Sequence, residues 1–588
     1  MTDPIIEARD LSFRYPGAEV DSLRNVNLRI ERGDFVAVVG GNGSGKTTLC
    51  KTFNGLVPHY WNGDFAGSVH VDGVDTFTSD VASLSSKVGY VYQDFQNQLV
   101  RPTVRDEISF GPINFGHADH AHRTAEVLGT LGISDLAQRF TWQLSGGQAH
   151  ATALAAVLAL RPQILVVDEP VAELDPARAH QIYRQLQVLN EQHGITVITI
   201  EHHAEFIAEY ARSVVLMAEG APVWHLPVDE AVNRAEELEA HGIPAPQVVQ
   251  ACRALGVPHA PRDVISALHS LRERDVVVRP NGAFSPATTR ETPAGSASPR
   301  GGEERGVASS VVGGEARVVA RSSTVNHGYR TVAGDLHDVL HGVDLTLHAG
   351  ERVALVGGNG SGKTTLLKLL AGIMVPRSGQ VEIDGVNTRS RSAGKLAEIA
   401  SYLYQHPQQM FLKDSVRSDV ALFPSGRRVP GWEELVETVL QRVKLAPLAE
   451  RDGRALSGGQ QRRATLAIGL AMRPRILLLD EPTSSLDVAS REDVTAMLAD
   501  LSDTIECTVL ATHDMHLVAD WATRVIVLEG GRVAADLGPR ELFGRPDLME
   551  RARLVPPQVV VLGTLLGLDP VPLSVEELVS SVVVGEGV

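Results

Sequence analysis

The sequence predicts an α/β protein built twice over within its 588 residues. Three observations carry that expectation. An apolar strand, a glycine-rich loop and a helix follow one another at two places. An apolar run ending in Asp-Glu-Pro recurs downstream of each, and the two copies hold register over long stretches. Such internal repetition means two similar structural units rather than one large core. A chain of this length needs several cores, and its 43% hydrophobic and 21% charged content is ordinary for globular domains.

In the first copy Phe35-Val36-Ala37-Val38-Val39 reads as a buried strand, and a helix is expected from Thr47 to Phe53. Between them lies Gly40-Gly41-Asn42-Gly43-Ser44-Gly45-Lys46-Thr47-Thr48. The second copy has the strand Val353 to Val356 and a helix expected from Thr364 to Leu370. Its loop is Gly357-Gly358-Asn359-Gly360-Ser361-Gly362-Lys363-Thr364-Thr365. This strand–GxxxxGK[ST]–helix order is the context of a phosphate-binding loop. Glycines let successive backbone N–H groups converge on an anion, and the helix amino terminus adds partial positive charge. Lys46 and Lys363 are expected to neutralise phosphates, and Thr47 and Thr364 to bind Mg2+. A glycine turn that merely imitates such a loop is the alternative, but it would have to occur twice in the same strand–helix setting.

Ile164 to Val167 and Ile476 to Leu479 are apolar strands that deliver Asp168-Glu169 and Asp480-Glu481. The first acid of each pair is expected in a magnesium shell and the second, Glu169 or Glu481, as general base for an attacking water. From Gln93 and Gln405 to Asp175 and Asp487 the offset between copies stays at 312 positions. Lys46 and Lys363 are 317 apart, so the first copy carries an insertion before Gln93.

Leu144-Ser145-Gly146-Gly147-Gln148 and Leu456-Ser457-Gly458-Gly459-Gln460 stand upstream of those acids at equal spacing in both copies. With the phosphate loops, this signature closely resembles the ABC ATPase family over nearly the whole chain. The resemblance implies two P-loop NTPase modules, each with an antiparallel β subdomain, a RecA-like core and an α-helical signature subdomain. It implies that the modules pair head to tail within the chain, each ATP lying between one phosphate loop and the opposite signature. Ser145, Gly147, Ser457 and Gly459 would then touch γ-phosphates across the interface, and Leu174-Asp175 and Leu486-Asp487 would be D-loops. His202 and His513, after the runs Thr196 to Glu201 and Thr508 to Thr512, are the expected switch histidines, with His203 a weaker candidate. Gln93 and Gln405 are the expected Q-loop residues, joining the catalytic and magnesium groups. Tyr15 matches the aromatic that stacks on adenine, an arrangement ring stacking favours, and Tyr329 is its expected equivalent. ATP and Mg2+ are the implied cofactors. The first signature is followed by Ala149-His150 and the second by Gln461-Arg462-Arg463; neither difference removes a catalytic group, so two active sites are expected, with equal or unequal rates both open.

Weaker repeats follow each module. Ile243-Pro244-Ala245-Pro246-Gln247 and Val555-Pro556-Pro557-Gln558 each lead into a helix-like segment, Arg262 to Leu271 and Ser574 to Val583. The expected organisation is module 1 over 1–240, an accessory subdomain over 241–278 and a flexible linker over 279–322. Module 2 follows over 323–548 and a second accessory subdomain over 549–588. The linker is rich in Pro, Gly, Ser, Thr and Ala, too poor in apolar residues to fold. As a coil it would reach roughly 35–40 Å, enough to let the modules pair.

The formal charge of −17 argues against a nucleic-acid partner. Three cysteines, Cys50, Cys252 and Cys507, lie far apart, which fits a reducing compartment. No apolar run reaches the ~20 residues of a spanning helix, and Met1 to Glu7 has no signal-peptide pattern. His117, His120 and His122 do not share one helix face and are expected as solvated residues. Around the Q-loops, Gln93 to Leu99 and Gln405 to Phe411 resemble the pattern of energy-coupling-factor importers, which take up vitamins and transition-metal ions. Asn54 to His59 resembles fused ATPases associated with thiamine-precursor uptake, and the accessory segments resemble carboxy-terminal dimerisation regions of the same group. The resemblance implies a peripheral subunit on the cytoplasmic face of the membrane, partnered by a membrane T component and a substrate-binding S component. Two other readings stand beside it. One is a soluble tandem ABC protein acting on ribosomes or DNA, against which the neutral, coil-like linker speaks. The other is a tandem sugar-importer ATPase, against which two intact sites speak.

Overall fold

The computed structural model describes residues 4–171, 175–274, 277–278, 317–330, 336–484, 486, 488–500 and 505–583. Residues 279–316 of the expected linker lie outside these, as do Leu174 and Asp487 of the expected D-loops.

Each half is built on a six-stranded sheet. In the first, the order is Ala221–Pro227, Ser213–Ala218, Phe35–Val39, Thr196–Ile200, Ile164–Asp168 and Val88–Val91. All neighbours are parallel except the Ala221–Pro227 edge strand, which is antiparallel. The second half repeats the order with Arg532–Leu537, Arg524–Glu529, Arg352–Val356, Cys507–Ala511, Ile476–Asp480 and Ala400–Leu403. The strands carrying the loops and acids are buried along their length, save half-buried Arg352 at the start of one, because both faces of a parallel sheet are covered. Alternation decides what covers them. Val36 and Val38 face a four-stranded antiparallel sheet through Ile6, Leu11 and Phe13. Phe35 turns to the opposite layer, among Tyr183, Leu186 and Leu165.

The antiparallel sheets comprise Leu23–Ile30, Ile6–Arg14, Asp64–Val71 and Val74–Asp75 in one half, and Leu336–His348, Val318–Arg330, Ser378–Ile383 and Val386–Asn387 in the other. Val318–Arg330 corrects the linker boundary. Residues 318–322, assigned to the linker by composition, belong to the sheet, with Ala320 paired to both Leu347 and Ile383. Val319 and Ala320 are buried there, and two flanking strands override a weak local signal. A helical layer of Val104–Asn114, His120–Thr130 and Gly146–Leu158, repeated by Val416–Gly426, Trp432–Arg442 and Gly458–Ala471, presents the signatures.

The accessory segments pack on each other as well as on the modules, since Ala37, Val39 and Leu216 belong to the first segment's core and Val560 packs with Ala354 and Val356. Val248, Val249, Cys252 and Leu271 share one core with Val559, Leu562 and Leu578. Gln247 and Gln558 exchange bonds across an approximate two-fold axis: Val248 N donates to Gln558 Oε1 and Val559 N to Gln247 Oε1, both at 3.2 Å. The helix expected from Ser574 to Val583 stops at Ser581, because Val582 and Val583 pair with Val278 and Val277 in a two-stranded antiparallel sheet. Among the described residues, no helix is long and apolar enough to cross a membrane.

Candidate active sites

The phosphate loops adopt the expected strand–loop–helix form, with the helices at Lys46–Phe53 and Lys363–Leu370, one residue earlier than expected. Glycine is required at the helix entry, where Gly45 and Gly362 have φ of 96° and 103°. A Cβ on Gly40 would meet the Met217 carbonyl oxygen at 2.2 Å and one on Gly357 that of Leu528 at 2.3 Å. Lys46 and Lys363 curl back over their loops and donate to the carbonyls of Gly40 and Gly357 at 2.8 and 2.7 Å. Ser44 and Ser361 are buried beneath, and Asn42, Gly43, Thr47 and Thr48 line the first cleft as Gly360, Thr364 and Thr365 line the second. Tyr15 shares a hydrogen bond with Thr48 at 3.3 Å and Tyr329 with Thr365 at 3.0 Å, so the two tyrosines are structurally equivalent.

The strand ends place the acids beside those loops. Thr364 donates to Asp480 at 3.1 Å, and Thr47 likewise bonds Asp168. A hydroxyl next to a carboxylate is a hard oxygen donor set that suits Mg2+. Burial and the adjacent Glu169 carboxylate push Asp168 up to about 6, and burial also raises Asp480. Glu169 and Glu481 adopt left-handed backbone conformations, φ 50° and 47°. Such strain costs of order 1–3 kcal/mol per residue, and it aims each side chain off the strand end.

In the first half, Gln93 Nε2 donates to Glu169 Oε2 at 2.5 Å, and His202 Nε2 lies 3.2 Å from Glu169 Oε1. In the second, His513 Nδ1 lies 2.9 Å from Glu481 Oε1, while Gln405 lines the same cavity. Burial would lower His513, but the Glu481 carboxylate prevails and raises it. His203 is committed elsewhere, 2.7 Å from Glu201, so His202 is the histidine that meets Glu169. Burial would raise Glu201, yet His203 and Tyr183 hold it down at about 2.

Tyr90 and Tyr402 were not among the expected site residues. Their hydroxyls donate to Asp168 and Asp480 at 3.0 and 2.8 Å and orient the free oxygen of each carboxylate. The signal was present as Tyr90-Val91-Tyr92 and Tyr402-Leu403-Tyr404, a pair at the common offset.

The halves meet head to tail. A cleft of about 1180 Å3 is lined by Lys46, Thr47 and Glu169 of the first half and by Gly458 and Gly459 of the second signature. The second phosphate loop has its own cavity of about 230 Å3. Asp175 reaches across to accept a bond from the Asn359 backbone N–H at 3.4 Å. Ser145 and Ser457 each cap their signature helix with a reciprocal bond to Gln148 or Gln460. His117 and His120 are half-buried and His122 exposed, on the entry to the His120–Thr130 helix.

Paired phosphate loops facing opposed signatures, with a carboxylate beside each, define a tandem P-loop ATPase. Residues 23–172 and 340–484 match the family described as ABC transporter. The chain is 34% identical over 592 residues to an archaeal protein from Methanosarcina acetivorans that carries the family name ABC transporter ATP-binding protein, covering 98% of this chain and 90% of that one. It is 30% identical to a protein with the same family name from Caldanaerobacter subterraneus subsp. tengcongensis, covering 99% of both. A solved structure, cbiO1 from Clostridium perfringens, described as part of the ABC transporter complex cbiONQ, is 30% identical with a TM-score of 0.37, covering 40% of this chain and 94% of that one. The chain belongs to the ABC transporter ATP-binding family and is an ATPase with two ATP-binding modules.

Proposed function

We propose that this ATPase energises an importer of the energy-coupling-factor type, with ATP hydrolysed in both modules. The observation that carries the reading is the Q-loop, which in each half stands between a carboxylate proposed as catalytic and exposed apolar side chains. Gln93 bonds Glu169 directly, and a few residues on, Val100 is 64% exposed, with Phe110 and Ile113 exposed on the next helix. In the second half Gln405 shares a cavity with Glu481, and Leu412 is 70% exposed. Exposed apolar side chains of this kind favour a partner surface, here a membrane T component working with an S component that holds the cargo.

In this reading each ATP sits on its phosphate loop, its charge met by Lys46 or Lys363 and by backbone N–H groups. Ser145 and Gly147, or Ser457 and Gly459, close over the γ-phosphate from the opposite module. Glu169 and Glu481 accept the proton of the attacking water, and His202 and His513 hold those carboxylates in place. Mg2+, bound by Thr47 and Asp168 or Thr364 and Asp480 with Gln93 or Gln405, would neutralise charge developing on the phosphates. Loss of the γ-phosphate then frees each Q-loop to move its apolar surface. The subunit would sit on the cytoplasmic face of the membrane.

Co-purification from native membranes tests this. The expectation is recovery of multi-span subunits by the parent chain, and their loss with Val100→Glu and Leu412→Glu while ATP binding persists. A chain that recovers no integral membrane protein would sink the importer reading without touching the ATPase assignment.

A further inference from the structure

We propose that Arg178 is a γ-phosphate-binding residue of the second ATP site, a guanidinium that the first site lacks at the corresponding place; the inference rests on head-to-tail pairing of the two modules. The second site would be formed by the Lys363 loop and the signature of the first half. Arg178 lies on that signature. Its Nη1 donates to Ser145 Oγ at 3.4 Å, and a Cβ built on Gly147 would come within 3.2 Å of Arg178 Cδ. Its stem therefore covers the two residues expected to face the phosphate.

The same side chain is tied to the opposite module. Arg178 Nε stands 3.6 Å from Asp175 Oδ2, the oxygen that accepts the Asn359 N–H of the second phosphate loop. Asp175 is completely buried, so this carboxylate is a fixed post between guanidinium and loop. Arg178 itself stays 26% exposed. Both of its contacts are long, and a guanidinium offers five donors in a planar fork that suits phosphate oxygens. The Asp175–Asn359 bond sets this guanidinium at the seam between the first signature and the second phosphate loop.

In the other half the corresponding residue is Ser490, against which a Cβ on Gly459 would come within 2.3 Å of the hydroxyl. The space is filled there without charge. The next residue, Arg491, turns instead to Asp514, at 3.6 Å. The two signatures thus differ at this one position; Arg491 also lines the first cleft but is paired with Asp514, so the second site should prefer ATP to ADP more strongly. An extra charge-assisted contact to the terminal phosphate is worth roughly ten-fold in affinity.

The test is photolabelling of the full chain with 8-azido-ATP and 8-azido-ADP, with labelled peptides assigned to each module by mass spectrometry. Arg178→Gln keeps a hydrogen-bond donor near Ser145 but no charge, and Arg178→Lys keeps the charge. The expected result is that Arg178→Gln weakens azido-ATP labelling of the second module about ten-fold, with azido-ADP labelling and the first module unchanged. Arg178→Lys should retain part of the ATP preference. If ATP and ADP labelling fall together, the residue only braces the signature and the proposal is overturned; equal behaviour of Arg178→Gln and the parent overturns it too. A parent chain that takes no label in either module would instead refute the ATP sites themselves.

Discussion

The junction between signature helix and Q-loop is built differently in the two halves. In the second, Arg462 is buried and donates to the backbone carbonyls of Tyr404 and Gln405 at 3.1 and 2.8 Å. In the first, the equivalent His150 is buried edge-on to Phe95, ring centroids 5.2 Å apart, and neither ring nitrogen has a hydrogen-bond partner. Burial pushes His150 down to about 4, so it is neutral and acts as an aromatic plug. One fold therefore tethers a Q-loop either by charge-assisted bonds to its backbone or by ring packing on the residues that follow. In the first half the Gln93 side chain is engaged with Glu169 instead. The comparison teaches that a matching backbone does not guarantee matching coupling.

The largest expected effect sharpens the question of equal sites. Glu169→Gln and Glu481→Gln together should lower steady-state ATP turnover by at least ~100-fold, the scale of a lost general base. Each single variant, measured in the same phosphate-release assay, reports how much its site contributes. Parental turnover in the double variant would refute the assignment of both carboxylates.

Next comes the tether. Arg462→Ala should destabilise the second module by about 2–3 kcal/mol, because it strips two Q-loop carbonyls of a charged donor in a buried place. His150→Ala, which removes packing but no hydrogen bond, should cost about 1–2 kcal/mol. Denaturant midpoints of the two variants would break the comparison if their order were reversed.

A smaller effect is expected at the accessory interface. Gln247→Ala and Gln558→Ala should each cost about 1 kcal/mol, and by the two-fold relation they should cost the same. Urea unfolding of both variants reads this directly, and a clear inequality would show that the axis is only approximate in energy.

The smallest effect depends on pH. Between the halves, His516 Nε2 stands 3.5 Å from Glu205 Oε1. Burial would lower His516, but Glu205 and Asp514 prevail against Arg491 and raise it from 6.5. Burial would raise Glu205, but His516, His203 and His180 lower it from 4.5. The raised histidine contributes fully below pH 6.5 and is lost as pH climbs through its folded value. The lowered carboxylate contributes above 4.5 and is lost as pH falls. The pair is therefore strongest near pH 5–6. Both side chains are about a third exposed, so screening limits the contribution to about 0.5 kcal/mol. The Tm loss on His516→Ala should be measurable at pH 5.5 and vanish at pH 8.5; a pH-independent loss would remove the ion pair as its cause.

Much of the site was legible in the chain because its chemistry is local. A phosphate loop needs its glycines, lysine and threonine in one short turn, and a buried strand must present Asp168-Glu169 or Asp480-Glu481 at its end. Tyr90 and Tyr402 carry no local signal of their role, because their partners lie 78 positions away, on neighbouring parallel strands. The start of the strand at Val318–Arg330 is not legible in the chain for a similar reason, since its pairing partners, not its own composition, make it a strand.

The order of residues alone determined that this is a repeated α/β ATPase, which side chains stand on its two glycine-rich loops, and that the copies differ after their signatures. Only the tertiary structure decided that Arg178 covers one signature and Ser490 the other, that His150 and Arg462 tether their Q-loops by different forces, and that Gln247 and Gln558 trade bonds. The reason is physical. Short-range motifs are set by backbone geometry within a few residues, whereas a contact between distant segments exists only after burial and sheet pairing have brought them together.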